Sequence, residues 1–285
     1  MEDVTYVVPG DLSELFKVMG RHRGRAKVIA GGTNVIPDMR AGAVAPEVII
    51  DLGRLRGALS YVREENGRVS IGALTNISEV ASSEIIQRDS PILSSAASRL
   101  GNPLTRNRAT IGGNLADASP AADMAPPLLA LEAEVSTECE RGRGREIPLD
   151  RFFLGPNQTI LEEGEVITQI TFPKPKTSAK GSHIKLGLRN SMAISVVSIA
   201  VMLELKGKRC RQARVALGAV APKPIRAYCL EGLLEGREID SKVIGECSVA
   251  VMKEISPITD IRGSAEYRKL ATSVLLRRAI QEALA

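Results

Sequence analysis

Two short glycine stretches carry most of the information in this chain: Ala30-Gly31-Gly32-Thr33-Asn34 and Thr110-Ile111-Gly112-Gly113-Asn114. The first follows the apolar run Lys27-Val28-Ile29-Ala30, and the second follows the basic Arg106-Asn107-Arg108. Glycine tolerates positive φ and lets a backbone come close to a ligand, and successive amide N–H groups in such a turn form a concave nest for phosphate oxygens. Each loop is expected to present such amides, with hydroxyl and carboxamide donors beside them, and two nests together suit a pyrophosphate. Neither loop reads G-x-G-x-x-G or G-x-x-x-x-G-K-[ST], so a Rossmann dinucleotide site and a P-loop are both unsupported.

Outward from the first loop, the amphipathic Leu12-Leu15-Phe16-Met19 and the apolar runs Lys27–Ala30 and Glu47–Asp51 predict a small α/β unit. A hairpin follows, because Leu59–Arg63 and Arg68–Ile71 flank the turn pair Asn66-Gly67. Residues 76–100 read as helical. Residues 101–133, rich in Gly, Asn, Pro and Ala, read as loop and short helix, the sort of segment that often carries function. Strands resume at Glu134–Thr137 and Val166–Phe172. Pro173 to Gly181 mixes proline, lysine and small residues and marks a domain boundary. Beyond it, Ala193–Leu205 and Ala213–Val220 predict long strands, and Val243–Val251 and Tyr267–Leu284 predict helices. The expected domains are 1–175 and 180–285, the second a layered α+β unit.

Composition narrows the chemistry. The 285 residues are 44% apolar and 25% charged, which is globular, and no apolar run reaches the roughly 18 residues of a membrane span. The start, Met1-Glu2-Asp3-Val4, has no basic region followed by an apolar one, so a cytoplasmic location is expected. Cys139, Cys210, Cys229 and Cys247 are isolated and the histidines are only His22 and His183, which excludes iron–sulfur or zinc ligand spacing and any site of several histidines. No metal is expected on this chain. With four Phe, four Tyr and no Trp, stacking platforms for single-stranded nucleic acid are missing. The net charge of +5 divides unevenly: residues 1–172 carry 18 basic and 23 acidic side chains, residues 173–285 carry 20 and 10. The basic half lacks a like-charge block and reads as a solvated or partner-facing surface, not a nucleic-acid site.

The stretch Ala30 to Arg40, together with Asn107 to Leu131 and its Ser119-Pro120-x-x-Asp123, resembles the FAD-binding medium subunit of the molybdenum hydroxylases, the xanthine dehydrogenase and carbon monoxide dehydrogenase family. The resemblance continues through Phe152–Pro156, Lys185–Arg189, Met192–Val197, Leu217–Pro224 and Arg262–Arg268, so it covers essentially the whole chain. It implies an α+β chain, with a two-part FAD-binding domain of the vanillyl-alcohol-oxidase (PCMH) type and a C-terminal domain of three antiparallel strands beside helices. It places Ala30, Gly31, Gly32, Thr33, Asn34 and Val35, with Thr110, Ile111, Gly112, Gly113 and Asn114, around the FAD pyrophosphate. Asp123 maps to an acceptor for the adenosine ribose hydroxyls, a role its two oxygens suit, or alternatively to a helix N-cap. Lys185 maps to the lysine whose charge stabilises an electron-rich flavin. Leu100 and Ile167 map to apolar cofactor contacts, and equally to plain core.

Thr33-Asn34 supplies donors but no histidine for covalent attachment, so non-covalent FAD is expected, and no aromatic residue is evident to stack on the ring. No catalytic side chain is expected. By the resemblance, molybdopterin sits in a large partner subunit and [2Fe-2S] clusters in a small one, in a dimer of heterotrimers, and FAD passes electrons to NAD+, a quinone or O2. Two rivals remain at this point: a stand-alone flavin reductase or oxidase of the same fold, and an assembly module that has lost its flavin.

Overall fold

A computed structural model describes residues 4–140, 142 and 144–285. Met1 to Asp3, on which part of the targeting argument rests, lie outside the described residues. The chain opens with β1 (Thr5–Val7), α1 (Leu12–Arg21), β2 (Ala26–Ile29), α2 (Val35–Arg40) and β3 (Val48–Asp51). Asp11 caps α1 by accepting from the Glu14 amide at 2.8 Å. The expected apolar spacing buries Leu15, Phe16 and Val18 against Val48, Ile50 and Leu52. The three strands form a parallel sheet in the order β1-β3-β2. Parallel pairing needs crossovers, and α1 and α2 lie in the two connections. The glycine turn 30–34 is therefore the βα loop that leaves β2.

A second sheet is antiparallel, in the order β4-β5-β10-β6-β7. Its strands are β4 (Val62–Glu65), β5 (Arg68–Gly72), β6 (Glu134–Glu138), β7 (Glu146–Pro148) and the central β10 (Val166–Pro173). Asn66 and Gly67, both at positive φ (52° and 71°), make the tight turn that Asn-Gly announces. The helical stretch 76–100 is three helices, not one: α4 (Ile77–Ser82), α5 (Glu84–Asp89) and α6 (Pro91–Arg99), with the one-turn α3 (Arg56–Leu59) before them. Asn76 and Glu79 form a capping box, Ser83 caps α5, and Pro91, with no N–H, starts α6. Residues 101–133 hold α7 (Pro103–Arg106), α8 (Ile111–Ala116) and α9 (Ala125–Ala130), as the composition suggested. A helical turn, α10 (Leu149–Phe152), and the small hairpin β8 (Phe153–Gly155) and β9 (Gln158–Thr159) complete this half.

The C-terminal half is a sheet β11-β12-β13-β14, all antiparallel, with α11 (Tyr228–Leu234), α12 (Ser241–Glu254) and α13 (Ala265–Leu284). Three long strands, β11 (Ala179–Leu186), β12 (Val197–Lys206) and β13 (Arg209–Gly218), fit the expectation, and the two-residue β14 (Ile225–Arg226) is an addition to it. Strand β12 begins at Val197, not Ala193, because residues 187–196 turn aside: the Met192 amide donates to Gly101 O at 3.1 Å and Arg189 holds Met192 O.

Seven consecutive buried residues open β12, and alternation divides them between two cores. Ala200, Met202 and Ala216 join the large cluster of the first half, while Val201, Leu203, Val215 and Leu217 pack with the C-terminal helices. Gly218 permits that close approach, since a Cβ there would sit 2.9 Å from Pro126 at the start of α9. Among the described residues, no helix is long and apolar enough to cross a membrane.

Candidate functional site

A cavity of about 650 Å³ is lined by residues of the first two sheets and by the strip Met192–Ile194, and both glycine loops form its walls. One end is lined by Lys27, Val28, Leu161, Glu165, Val166 and Ile167, and the Gly24 amide bonded to Glu163 (3.0 Å) ties these two segments together. The other is lined by Leu100, Gly101, Thr105, Asp123, Met192, Ala193 and Ile194, drawn together by the Met192–Gly101 and Asp123–Ser195 hydrogen bonds. No residue of the lining is aromatic.

The two loops do different work. Among the described residues nothing accepts from the amides of Gly31, Gly32, Thr33, Asn34 and Val35, so five consecutive N–H groups are left for a ligand. Gly32 sits at φ +71°, the left-handed turn that makes such a run concave. The second loop does not present a free array, contrary to the expectation for it. Ile111 donates to Thr75 O (3.0 Å), Gly112 to Ala73 O (2.9 Å), Asn114 to Thr110 O (3.0 Å) and Gly113 to the Thr110 hydroxyl (3.1 Å). Its glycines serve packing: a Cβ on Gly112 would lie 2.7 Å from that of Ala73. Gly31 likewise presses on the second loop, where a Cβ would fall 1.9 Å from Arg108 O.

Of the sequence-predicted site residues, Ala30, Gly31, Gly32, Thr33, Asn34, Val35, Leu100, Thr110, Gly112, Gly113, Asn114, Asp123 and Ile167 all line the cavity. Ile111 and Lys185 do not. Ile111 is wholly buried in the large core. Lys185, on β11, places Nζ 2.6 Å from Asp123 Oδ2 and donates to Arg99 O at 3.3 Å. The pair forms one feature at one end of the cavity, so the two residues cannot serve opposite ends of an extended dinucleotide. Asp123 caps no helix, since the N-cap of α9 is Met124. Burial pushes its carboxyl above the ordinary value, against the pull of the Lys185 ammonium and the Ser195 hydroxyl. At the far end Glu165 is held below its usual range: burial alone would raise it, but Arg145 (Nε at 2.9 Å) and Thr137 outweigh that. Sequence reading missed Lys27, Thr105, Ser119 and the strip Met192–Ile194. Lys27 carried a local signal, a cation just ahead of the glycine turn, and Ser119 and the strip Met192–Ile194 lay within motifs of the resemblance.

Across known proteins, the family described as the FAD binding domain in molybdopterin dehydrogenase matches residues 2–175, and the CO dehydrogenase flavoprotein C-terminal domain matches residues 182–283. The chain belongs to this family of flavoprotein subunits. It is 32% identical over 280 residues to the carbon monoxide dehydrogenase medium chain of Hydrogenophaga pseudoflava, covering 98% of this chain and 96% of that one. It is 30% identical over 262 residues to a putative xanthine dehydrogenase FAD-binding subunit of Escherichia coli, covering 92% and 89%. The fold overlays a solved carbon monoxide dehydrogenase chain from H. pseudoflava with a TM-score of 0.95, covering 99% and 97% at 32% identity. With these relatives the chain is an oxidoreductase flavoprotein subunit, the FAD-binding medium subunit of a molybdenum hydroxylase complex.

Proposed function

We propose that the chain holds one FAD extended along the cavity, with its pyrophosphate on the amides of Gly31 to Val35. Leu100, Asp123, Met192 and Ile194 would hold the flavin ring, and Val28 and Ile167 the adenosine. The observation that carries this reading is the run of five amides, Gly31 to Val35, that have no acceptor among the described residues and belong to the wall of the cavity. Bound FAD supplies the redox chemistry, and the protein's part is position and electrostatics. The amide nest and Lys27 hold the phosphates, the aliphatic walls keep water from the ring, and the Asp123–Lys185 pair brings no net charge to it.

In the assembled enzyme this subunit takes electrons from [2Fe-2S] clusters of a small subunit, after substrate is oxidised at the molybdopterin of a large one. It delivers them to NAD+, a quinone or O2. A cytoplasmic dimer of heterotrimers and the division into domains 1–175 and 180–285 belong to the same reading. The names of the relatives support the two partner subunits, since medium chain implies large and small ones.

The test is the flavin content of the purified full chain and of Gly32→Val. Stoichiometric FAD in the first and none in the second, at near-native far-UV dichroism, is the expected result, because a branched Cβ at φ +71° destroys the nest. Equal flavin in both would remove the first loop from the site.

A further inference from the structure

Ser195 lies just before β12, wholly buried, and is not part of the cavity wall. Its Oγ donates to Asp123 Oδ1 at 2.7 Å, and the second oxygen, Oδ2, accepts from Lys185 Nζ at 2.6 Å. Of these three residues only Asp123 lines the cavity. Asp123 comes from the first half of the chain, in the loop before α9, while its two partners come from the second half. Ser195 also directly follows the strip Met192–Ile194 that closes the cavity end.

We propose that Ser195 is a positioning residue for FAD: its hydroxyl fixes the Asp123 carboxylate in orientation and charge, and ties the Met192–Ile194 strip to that same carboxylate. The inference rests on the FAD reading above. An ionised carboxylate in a poorly solvated site depends on donors to its charged form, and removing one favours the protonated form. The other charged and titratable groups nearby are few. Lys185 reaches Asp123 from β11, and Arg99 at the end of α6 gives its carbonyl to Lys185. His183, two residues before Lys185, is buried with neither ring nitrogen bonded among the described residues and stays neutral. Asp123 is thus the group beside the flavin end whose charge Ser195 governs.

The experiment is FAD affinity of the full chain from pH 5.5 to 8.5, followed by flavin fluorescence, with thermal melts of the same samples without FAD. Variants are Ser195→Ala, Asp123→Asn and the double variant. Ser195→Ala is expected to weaken FAD about tenfold at the acidic end, the loss of one hydrogen bond to a charged group. The pH at which affinity is half lost should move up by about one unit. Asp123→Asn should bind with a flat pH profile, and adding Ser195→Ala to it should leave that profile flat. A Ser195→Ala protein that melts lower while its pH profile superimposes on the wild type has lost only packing, and overturns the proposal. Wild-type chain that takes up no FAD at any pH overturns the cofactor reading itself.

Discussion

At the residue scale the loops show how the same dipeptide answers two demands. Gly-Gly was legible as a ligand nest in both places, yet only the first leaves its amides open, because the second is hydrogen-bonded to Ala73 and Thr75, partners more than thirty-five residues away in sequence. Long-range pairing of this kind leaves no local signature. Gly31→Ala tests the packing role: its methyl would meet the Arg108 carbonyl at 1.9 Å, a backbone group that cannot swing aside. A loss of ~1–3 kcal/mol in urea unfolding is expected, and an unchanged midpoint would refute the contact. His183 is structural: it is buried, and neither ring nitrogen has a hydrogen-bond partner among the described residues. Burial, with Arg99 and Lys185 adding repulsion, pushes its pKa down to about 3 from 6.5. A depressed folded value means that the unfolded chain binds the extra proton first. Stability from the neutral imidazole is therefore complete above pH 6.5 and drains away as pH falls toward 3. His183→Leu should flatten the stability profile between pH 4.5 and 6.5, and parallel curves for variant and wild type would contradict the assignment.

At the element scale, strands and helices with strong periodicity stood where expected, and the misses have identifiable causes. The helical run 76–100 was broken by cap chemistry at Asn76, Ser83 and Pro91 that a periodicity reading passes over. The start of β12 was displaced four residues by the tether of Met192 to Gly101. The segment Arg262–Arg268, legible only as part of a resemblance, has a physical account in α13. Arg268, 2% exposed, donates to Val196 O (3.1 Å), Ala219 O (2.8 Å) and Asp260 Oδ1 (2.7 Å). It fastens the end of the 187–196 loop to the end of β13. Asp260 also accepts from the Arg262 amide and guanidinium; burial would raise its carboxyl, but these donors hold it down to about 2. Arg268→Met leaves two carbonyls without this donor and takes one donor from Asp260, which keeps those of Arg262, and should cost ~2–3 kcal/mol, roughly 5–10 °C in Tm. Arg268→Lys should recover little of it, since an ammonium cannot span three acceptors as a planar fork does. Full recovery by lysine would mean that charge alone matters there.

At the scale of the whole molecule, two matched families meet in one packed body. The large core takes in Ala200, Met202 and Ala216 from the C-terminal sheet, and Lys223 Nζ reaches Phe153 O at 2.7 Å across the junction. Ala219 donates to Pro120 O at 2.7 Å, and Arg226 reaches Leu129 O at 3.3 Å. The cavity lies against this seam, with its nest on the first half and the strip Met192–Ile194 on the second. A ligand that touches both sides stabilises both, by an amount set by mass action on the folded state alone. At a free FAD concentration of 100 times its Kd the gain is ~2.7 kcal/mol, or roughly 5–10 °C for a chain of this size. A calorimetric scan should therefore show one transition without FAD and one, moved upward, with it. Two transitions of which only the first responds would mean that the C-terminal strip takes no part in holding the cofactor.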